Sequence, residues 1–355
     1  MKKVICFTDS LGSGGAQRQL AGLACMLKEK GYDVSVLLYH DIPFYKPVLD
    51  RAEIKSVVLF SKNYIQRIWK IYKYLKNNND AIIIAYQETP SLISCLLRPF
   101  INYSKLIVSE RNTTQSLTKK DTLRFWAYRF ADYIVPNSFS QANFISKNFP
   151  KLAKKVTTIT NFVDTEYFHP TDRSNFMQRR TNTIVVVGSN KPQKNFYRFM
   201  DAIKIVCNEE IQLHVRWFGI LPEYLEEHRA YVDSLDLGRF VSIYGPTPDI
   251  SIEYQSADFF CLPSLFEGFP NVLCEAMSCG LPIGCSDVCD NPYIMSNTNG
   301  GILFNPLNIE DMARAIKCLV SISNEEWHKY SVMNRSVAEN LFSKTAFINK
   351  YCKLL

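Results

Sequence analysis

At 355 residues, the chain is longer than one hydrophobic core usually serves, about 250–300 residues, so two domains are expected. With 47% hydrophobic and 21% charged residues it is not a disordered chain, and without a run of about 18 uncharged apolar residues no membrane-spanning helix is expected. The net charge of +7 is unevenly held: residues 1–165 carry 24 Lys+Arg against 12 Asp+Glu, and residues 166–355 carry 17 against 22.

Strand-like apolar runs alternate with helical periods from the start of the chain. A strand over residues 3–8 is too short for a secretory h-region and leads into Ser10-Leu11-Gly12-Ser13-Gly14-Gly15-Ala16. That loop opens a helix near Gln17, over 16–30, and a strand follows at 33–39. Its glycines let backbone N–H groups approach a ligand closely, although the loop also reads as a tight strand-to-helix turn without one. The spacing misses Gly-x-Gly-x-x-Gly, and Tyr39-His40 stand where an acid would end the second strand, so NAD is not expected. Residues 62–76 form a basic amphipathic segment with Ile65, Ile68, Trp69, Tyr72 and Leu75 on one helical face, and Arg67, Lys70 and Lys73 on the other. One reading packs the apolar face on a sheet; the other docks Arg67, Trp69, Lys70 and Lys73 on a membrane. Strands at 80–85, 106–109 and 133–136 complete the first half.

After a polar, irregular stretch (164–182) the pattern restarts. Strands are expected at 183–188, 212–218, 241–244, 259–263 and 281–285, with a helix at 199–207. Alternation of this kind builds parallel sheets, so the fold class is α/β: two Rossmann-like βαβ domains facing each other across a cleft. The expected boundaries are 1–165 and 166–339, with a C-terminal helix, 340–355, crossing back to the first domain. Ligands of such sheets gather at the carboxyl ends of the strands, beside helix N-termini, so the cleft should take an anionic ligand.

The most informative segment is Leu262-Pro263-Ser264-Leu265-Phe266-Glu267-Gly268-Phe269-Pro270-Asn271-Val272-Leu273-Cys274-Glu275-Ala276-Met277. Gly268-Phe269-Pro270 forces extended backbone ahead of a helix starting near Asn271, whose free N–H groups are expected to point into the cleft. Glu267 closes the preceding loop. Glu275 falls on the apolar side of the helix, where a buried carboxylate needs partners such as a sugar's paired hydroxyls. Eleven cysteines lie scattered with no Cys-x-x-Cys pair, as expected of free thiols in a reducing cytoplasm. The five histidines are far apart and no Asp-x-Asp or His-x-x-His occurs, so no metal site is expected.

At these residues the chain resembles the family 4 glycosyltransferases of the GT-B fold, whose hallmark is Glu-x7-Glu. The Gly-rich first loop, Asn137-Ser138, Asn161-Phe162-Val163-Asp164 with Phe168 and Pro170, and Gly188 with Lys194-Asn195 fall in the family's order. The resemblance implies a retaining enzyme whose first domain binds acceptor and whose second binds donor. In it Glu267 touches the donor sugar, Glu275 holds the ribose, the backbone of Gly268, Phe269, Pro270, Asn271 and Val272 helps bind sugar and phosphate, and Lys194 grips the diphosphate. Gly14, Gly15, Gly188, Ser189, Lys191 and Gly245 complete the donor set.

Ser189 stands where the family commonly has Arg, with Lys191 as its expected replacement. The run Ser109-Glu110-Arg111-Asn112 replaces a His and resembles members that extend lipid-linked oligosaccharides; Glu110 and Asp9 are candidate acceptor-side bases, Asp9 reading equally as a loop cap. The implied donor is a nucleotide-diphosphate sugar, UDP-sugar favoured, carrying a hexose or N-acetylhexosamine, with no metal or other cofactor. The implied acceptor is a saccharide or polyprenyl-diphosphate-linked glycan of bacterial surface polysaccharide assembly, such as capsule or lipopolysaccharide. The basic first half suits an anionic membrane surface or a phosphorylated acceptor rather than nucleic acid, for which no motif is present, and the first of these implies a cytoplasmic enzyme peripheral on the inner face of the cell membrane. A sugar-nucleotide 2-epimerase of the same architecture and a non-catalytic sugar-nucleotide binder are the alternatives.

Overall fold

The computed structural model describes residues 1–114, 116–171 and 181–355. They form two compact units, Met1–Phe162 with Lys344–Leu355, and Val163–Ser343. The polar stretch at 164–182 lies partly outside the described residues.

The first unit begins β1 (Lys3–Phe7), α1 (Gly15–Glu29), β2 (Asp33–Leu38), α2 (Lys46–Arg51), β3 (Lys55–Val58) and α3 (Tyr64–Lys76). It continues β4 (Ile82–Tyr86), α4 (Glu88–Leu97), β5 (Lys105–Glu110), α5 (Lys119–Ala127), β6 (Tyr133–Pro136) and α6 (Phe139–Asn148). All six strands are parallel, in the order β3-β2-β1-β4-β5-β6. Central β4, Ile-Ile-Ile-Ala-Tyr, is buried throughout, as a strand covered on both sheet faces must be. One face packs on α1 through Leu20, Leu23 and Leu27; the other packs on α3, α4 and α5 through Ile71, Leu75, Ile93 and Phe125.

The second unit runs β7 (Thr183–Val187), α7 (Phe196–Asn208), β8 (His214–Phe218), α8 (Leu225–Ser234), β9 (Val241–Tyr244), α9 (Ile250–Gln255) and β10 (Phe259–Leu262). Then come α10 (Asn271–Ser278), β11 (Ile283–Ser286), α11 (Asn291–Ser296), β12 (Gly301–Phe304), α12 (Ile309–Val320) and α13 (Asn324–Phe342). Its parallel sheet has the order β12-β11-β10-β7-β8-β9. Helices α7 and α12 cover one face; α10, α11 and the end of α13 cover the other.

Residues 340–355 are not one helix. α13 stops at Phe342, Ser343 turns extended at φ −64° and ψ 159°, and α14 (Lys344–Cys352) belongs to the first unit, where Phe347, Ile348 and Tyr351 join α1 in the core. β3 and β12, both edge strands, add to the strands expected from sequence.

The stripe expected to bury on α3 also divides differently. Ile71 and Leu75 are buried and Ile68 and Tyr72 pack partly, whereas Ile65 and Trp69 face outward. Arg67 turns back over the Tyr39 ring, its guanidinium 4.6 Å from the centroid, and Lys70 donates to the Phe60 carbonyl at 2.6 Å.

Among the described residues no helix is long and apolar enough to cross a membrane, and all eleven cysteines are free thiols. Each sheet reverses the direction of its crossovers once, between β1 and β4 and between β7 and β10. Diverging loops at such a reversal leave room for a ligand at the strands' carboxyl ends.

Candidate functional site

At the reversal point of the second unit, β7 and β10 lie side by side, and the loops that leave them carry Lys194 and Glu267. The two side chains meet there: Lys194 Nζ lies 2.6 Å from Glu267 Oε1. Ser264 Oγ donates to the same oxygen at 2.6 Å from a fully buried position, and the Glu267 amide donates to Cys289 Sγ at 3.5 Å.

Further bonds lace the two loops. Leu265 N donates to Gln193 O at 2.8 Å, Gln193 Nε2 to Phe266 O at 3.0 Å, and Asn195 Nδ2 to Pro263 O at 3.1 Å. Asn195 sits in left-handed backbone, φ 59°, as the N-cap of α7, a conformation Asn adopts more readily than most residues. An ammonium and a carboxylate held at this distance by buried, hydrogen-bonded loops form a fixed charged pair.

The Gly-Phe-Pro turn delivers α10 as expected, with Pro270 as N-cap and Asn271 first in the helix. Its amides are not equivalent. Pro270 has no N–H, and Asn271 N donates to Phe269 O at 3.0 Å. The amides of Gly268 and Phe269 find no protein acceptor among the described residues. The Phe269 side chain is core, edge-on to Phe342. Glu275 is buried within α10, next to Val272 on the helix's first turns, and accepts from Tyr254 Oη at 3.4 Å.

Gly188 underlies the pair. Trp217 Nε1 donates to its carbonyl at 2.8 Å, and a Cβ there would stand 3.3 Å from both Lys194 Cγ and the Trp217 ring. Ser189 is half-buried and Lys191 exposed, with Lys191 O accepting from Lys194 N at 2.8 Å. Gly245 O accepts from Gly219 N at 3.3 Å, beside the ends of β8 and β9.

In the first unit, Gly14 caps α1 and Gly15 begins it, both exposed, with no acidic residue in the first turn. Asp9 is the loop cap: its Oδ1 accepts from Ser10 N at 2.6 Å and Gln17 Nε2 at 3.2 Å. Thr8 Oγ1 donates to Gln87 Oε1 at 2.9 Å, joining the ends of β1 and β4 at that sheet's own reversal point.

Glu110, expected as a candidate acceptor-side base, lies in a buried charged cluster. It ends β5 at 1% exposure, takes a hydrogen bond from Tyr128, and lies 3.5 Å from Arg124, which also meets Glu88 at 2.9 Å and Asp121 at 3.1 Å. Burial pushes its carboxyl above the ordinary range, against the opposing pull of Arg124 and Tyr128.

Sequence reasoning missed Ser264, Gln193, Tyr254 and Cys289. Gln193 reaches the site across 73 residues, Tyr254 and Cys289 meet Glu275 and Glu267 across 21 and 22, and Ser264 precedes Glu267 by 3 in the same loop; nothing in their residue types marks the role. Among the described residues no three His, Cys, Asp or Glu side chains cluster so as to hold a metal ion.

Comparison with known proteins identifies the family. The description "Glycosyltransferase Family 4" matches residues 13–167, and "Glycosyl transferases group 1" matches residues 181–321. A Campylobacter jejuni N-acetylgalactosamine-N,N'-diacetylbacillosaminyl-diphospho-undecaprenol 4-alpha-N-acetylgalactosaminyltransferase is 26% identical over 302 residues, covering 81% of each chain. The amylovoran biosynthesis glycosyltransferase AmsD of Erwinia amylovora is 25% identical over 311 residues, covering 85% of this chain and 86% of its own. The crystal structure of Anabaena HepE in complex with UDP and glucose aligns with a TM-score of 0.83 at 17% identity, covering 100% of this chain and 99% of HepE. Matched in both halves by descriptions of sugar-transferring enzymes, and built as two parallel six-stranded sheets of the GT-B fold, the chain belongs to the family 4 glycosyltransferases.

Proposed function

We propose that the second unit binds a nucleotide-diphosphate sugar, preferably a UDP-sugar. A hexose or N-acetylhexosamine passes from it, with retention, to a saccharide acceptor carried on a polyprenyl diphosphate, in surface polysaccharide assembly at the cytoplasmic face of the membrane. The observation that carries this reading is the Lys194–Glu267 pair at the reversal point between β7 and β10. UDP in HepE supports the donor class, the undecaprenyl-linked substrate named for the Campylobacter relative supports the acceptor class, and AmsD supports the polysaccharide setting.

In this reading Lys194 grips the diphosphate and Glu267 the sugar hydroxyls. The Gly268 and Phe269 amides, at the start of α10, add donors to sugar and phosphate. Lys191 supplies the second cation in place of an Arg at Ser189. Glu275 holds the ribose, with Tyr254 as one of its partners within the protein. The acceptor belongs to the first unit, near Thr8, Asp9 and Gln87, where the Gly14-Gly15 helix start offers amides to an anionic group.

Glu267 is a poor nucleophile, because the ammonium and the Ser264 hydroxyl both stabilise its charge. The acceptor hydroxyl therefore attacks the anomeric carbon on the leaving-group side as the bond to the diphosphate oxygen breaks. That oxygen takes the acceptor's proton. Cation and backbone donors aimed at the departing diphosphate lower the barrier by electrostatic stabilisation.

Thermal-shift screening of nucleotide-diphosphate sugars tests the donor class. A true donor at a hundredfold excess over its Kd stabilises by about 2.7 kcal/mol and should stand apart from the others. In Glu275→Ala that shift is expected to shrink for sugar nucleotides; equal shifts in both proteins would remove Glu275 from the donor site. Because the proposed leaving-group stabilisation is made by the protein itself, transfer should proceed at an unchanged rate after EDTA treatment, and a loss restored by a divalent cation would reject that part.

A further inference from the structure

We infer that α3 docks the protein on an anionic lipid bilayer. The inference adds to the lipid-linked acceptor proposed above, and its test does not require transfer activity. Residues 54–79 contain six cations, Lys55, Lys62, Arg67, Lys70, Lys73 and Lys76, and no Asp or Glu. α3 rises from the middle of that run.

Its outward side is not the polar surface a solvated helix would show. Ile65 is 82% exposed, Trp69 58% and Tyr64 52%, and Phe60 in the preceding loop is 62% exposed. Tyr64, Ile65 and Trp69 line one shallow concavity with Asn63 and Gln66. Ile65, Trp69 and Lys73 follow one another at intervals of four, so the outward stripe passes from apolar to cationic along the helix.

The cations sit where they can serve the same plane. Lys70 holds the Phe60 loop to the helix through its carbonyl, Lys73 Nζ lies 5.4 Å from the Trp69 ring centroid, and Lys76 donates to Tyr72 Oη at 3.0 Å. Aromatic rings and an isoleucine at the acyl boundary, with lysine ammoniums reaching the phosphates, is how an interfacial helix lies in a bilayer surface.

A second copy of the chain fits this face poorly, because self-association through α3 would set lysines against lysines. On the same face of the sheet, α5 also exposes Leu123 and Trp126. There, however, the Arg129 guanidinium covers the Trp126 ring at 3.7 Å, and Glu88 and Asp121 pair with Arg124. The surface that combines exposed apolar tips with unopposed positive charge is that of α3.

Cosedimentation of the full chain with phosphatidylcholine–phosphatidylglycerol vesicles, and with pure phosphatidylcholine vesicles, tests the inference. Binding should require phosphatidylglycerol and fall at high salt. Each lysine near such a surface is worth about a fivefold change in partition, so Lys73→Glu with Lys76→Glu should lower binding tenfold or more. Ile65→Ser with Trp69→Ala should lower it to a similar extent. Both double variants should keep the wild-type circular dichroism spectrum, and Lys194→Ala, whatever its transfer rate, should bind vesicles as wild type does. The inference is overturned by absence of phosphatidylglycerol-dependent binding at low salt, by binding undiminished in both double variants, or by a wild-type dimer that Trp69→Ala converts to monomer.

Discussion

Replacing Lys194 with alanine is expected to lower the rate of sugar transfer by about 10²–10³-fold, the cost typical of removing one preorganised donor to developing charge. The expectation follows from position. The Lys194 backbone is held at the carboxyl end of β7 by a short turn that begins at Lys191 and by the Asn195 cap, and its ammonium is held by Glu267 at 2.6 Å. The loss should fall mainly on kcat, because charge accumulates on the leaving diphosphate in the transition state more than in the bound donor. Glu267 would retain Ser264 as a partner but lose its counter-ion, so a stability decrease of about 1–3 kcal/mol should accompany the kinetic effect. Measuring the unfolding midpoint beside the steady-state kinetics separates the two.

Arg124→Ala should produce the largest loss of stability, about 3–5 kcal/mol, because it removes the cation facing three carboxylates, one of them the buried Glu110. Denaturant unfolding of the full-length protein checks the magnitude. The pH dependence identifies the cause. Below the unfolded-state value Glu110 is protonated in both states and its burial carries no charge penalty. As the pH rises through its raised folded value, the folded state must hold a charge that Arg124 no longer offsets. The difference in stability between variant and wild type should therefore widen from acidic to neutral pH; a difference independent of pH would mean that packing, not Glu110's charge, sets the loss.

How far the sequence discloses this molecule differs from element to element. The strands at 133–136 and 241–244 stand in the structure with the expected bounds, since short, β-rich apolar runs between polar turns admit few other readings. β3 escapes notice because Lys-Ser-Val-Val is an edge strand with little burial, and β12 because it opens on glycine. In α3 two apolar stripes overlap, one through Ile65 and Trp69 and one through Ile68, Ile71 and Leu75; only the sheet beneath decides which is buried.

The charged pair shows a similar limit. Lys194 and Glu267 are legible through a family pattern, and Gly268-Phe269-Pro270 announces the start of α10. The bonds from Gln193 and Asn195 that lace the two loops depend on strand order, which brings β7 beside β10 although the whole sequence from β8 to β9 intervenes. Glu110 looks from sequence like an open acid at the end of a strand. Its enclosure by Arg124 and Tyr128 comes from α5 folding back over the sheet, which no local pattern reveals.

A double-mutant cycle on sugar transfer between positions 194 and 267, using Lys194→Ala, Glu267→Ala and the combined variant, bears most directly on the account. Residues that act together on one activated sugar should give strongly non-additive losses, the double variant being about as slow as the slower single variant. Turnover near the wild-type rate in either single variant, or losses that simply multiply, would contradict a shared role at the β7–β10 reversal point.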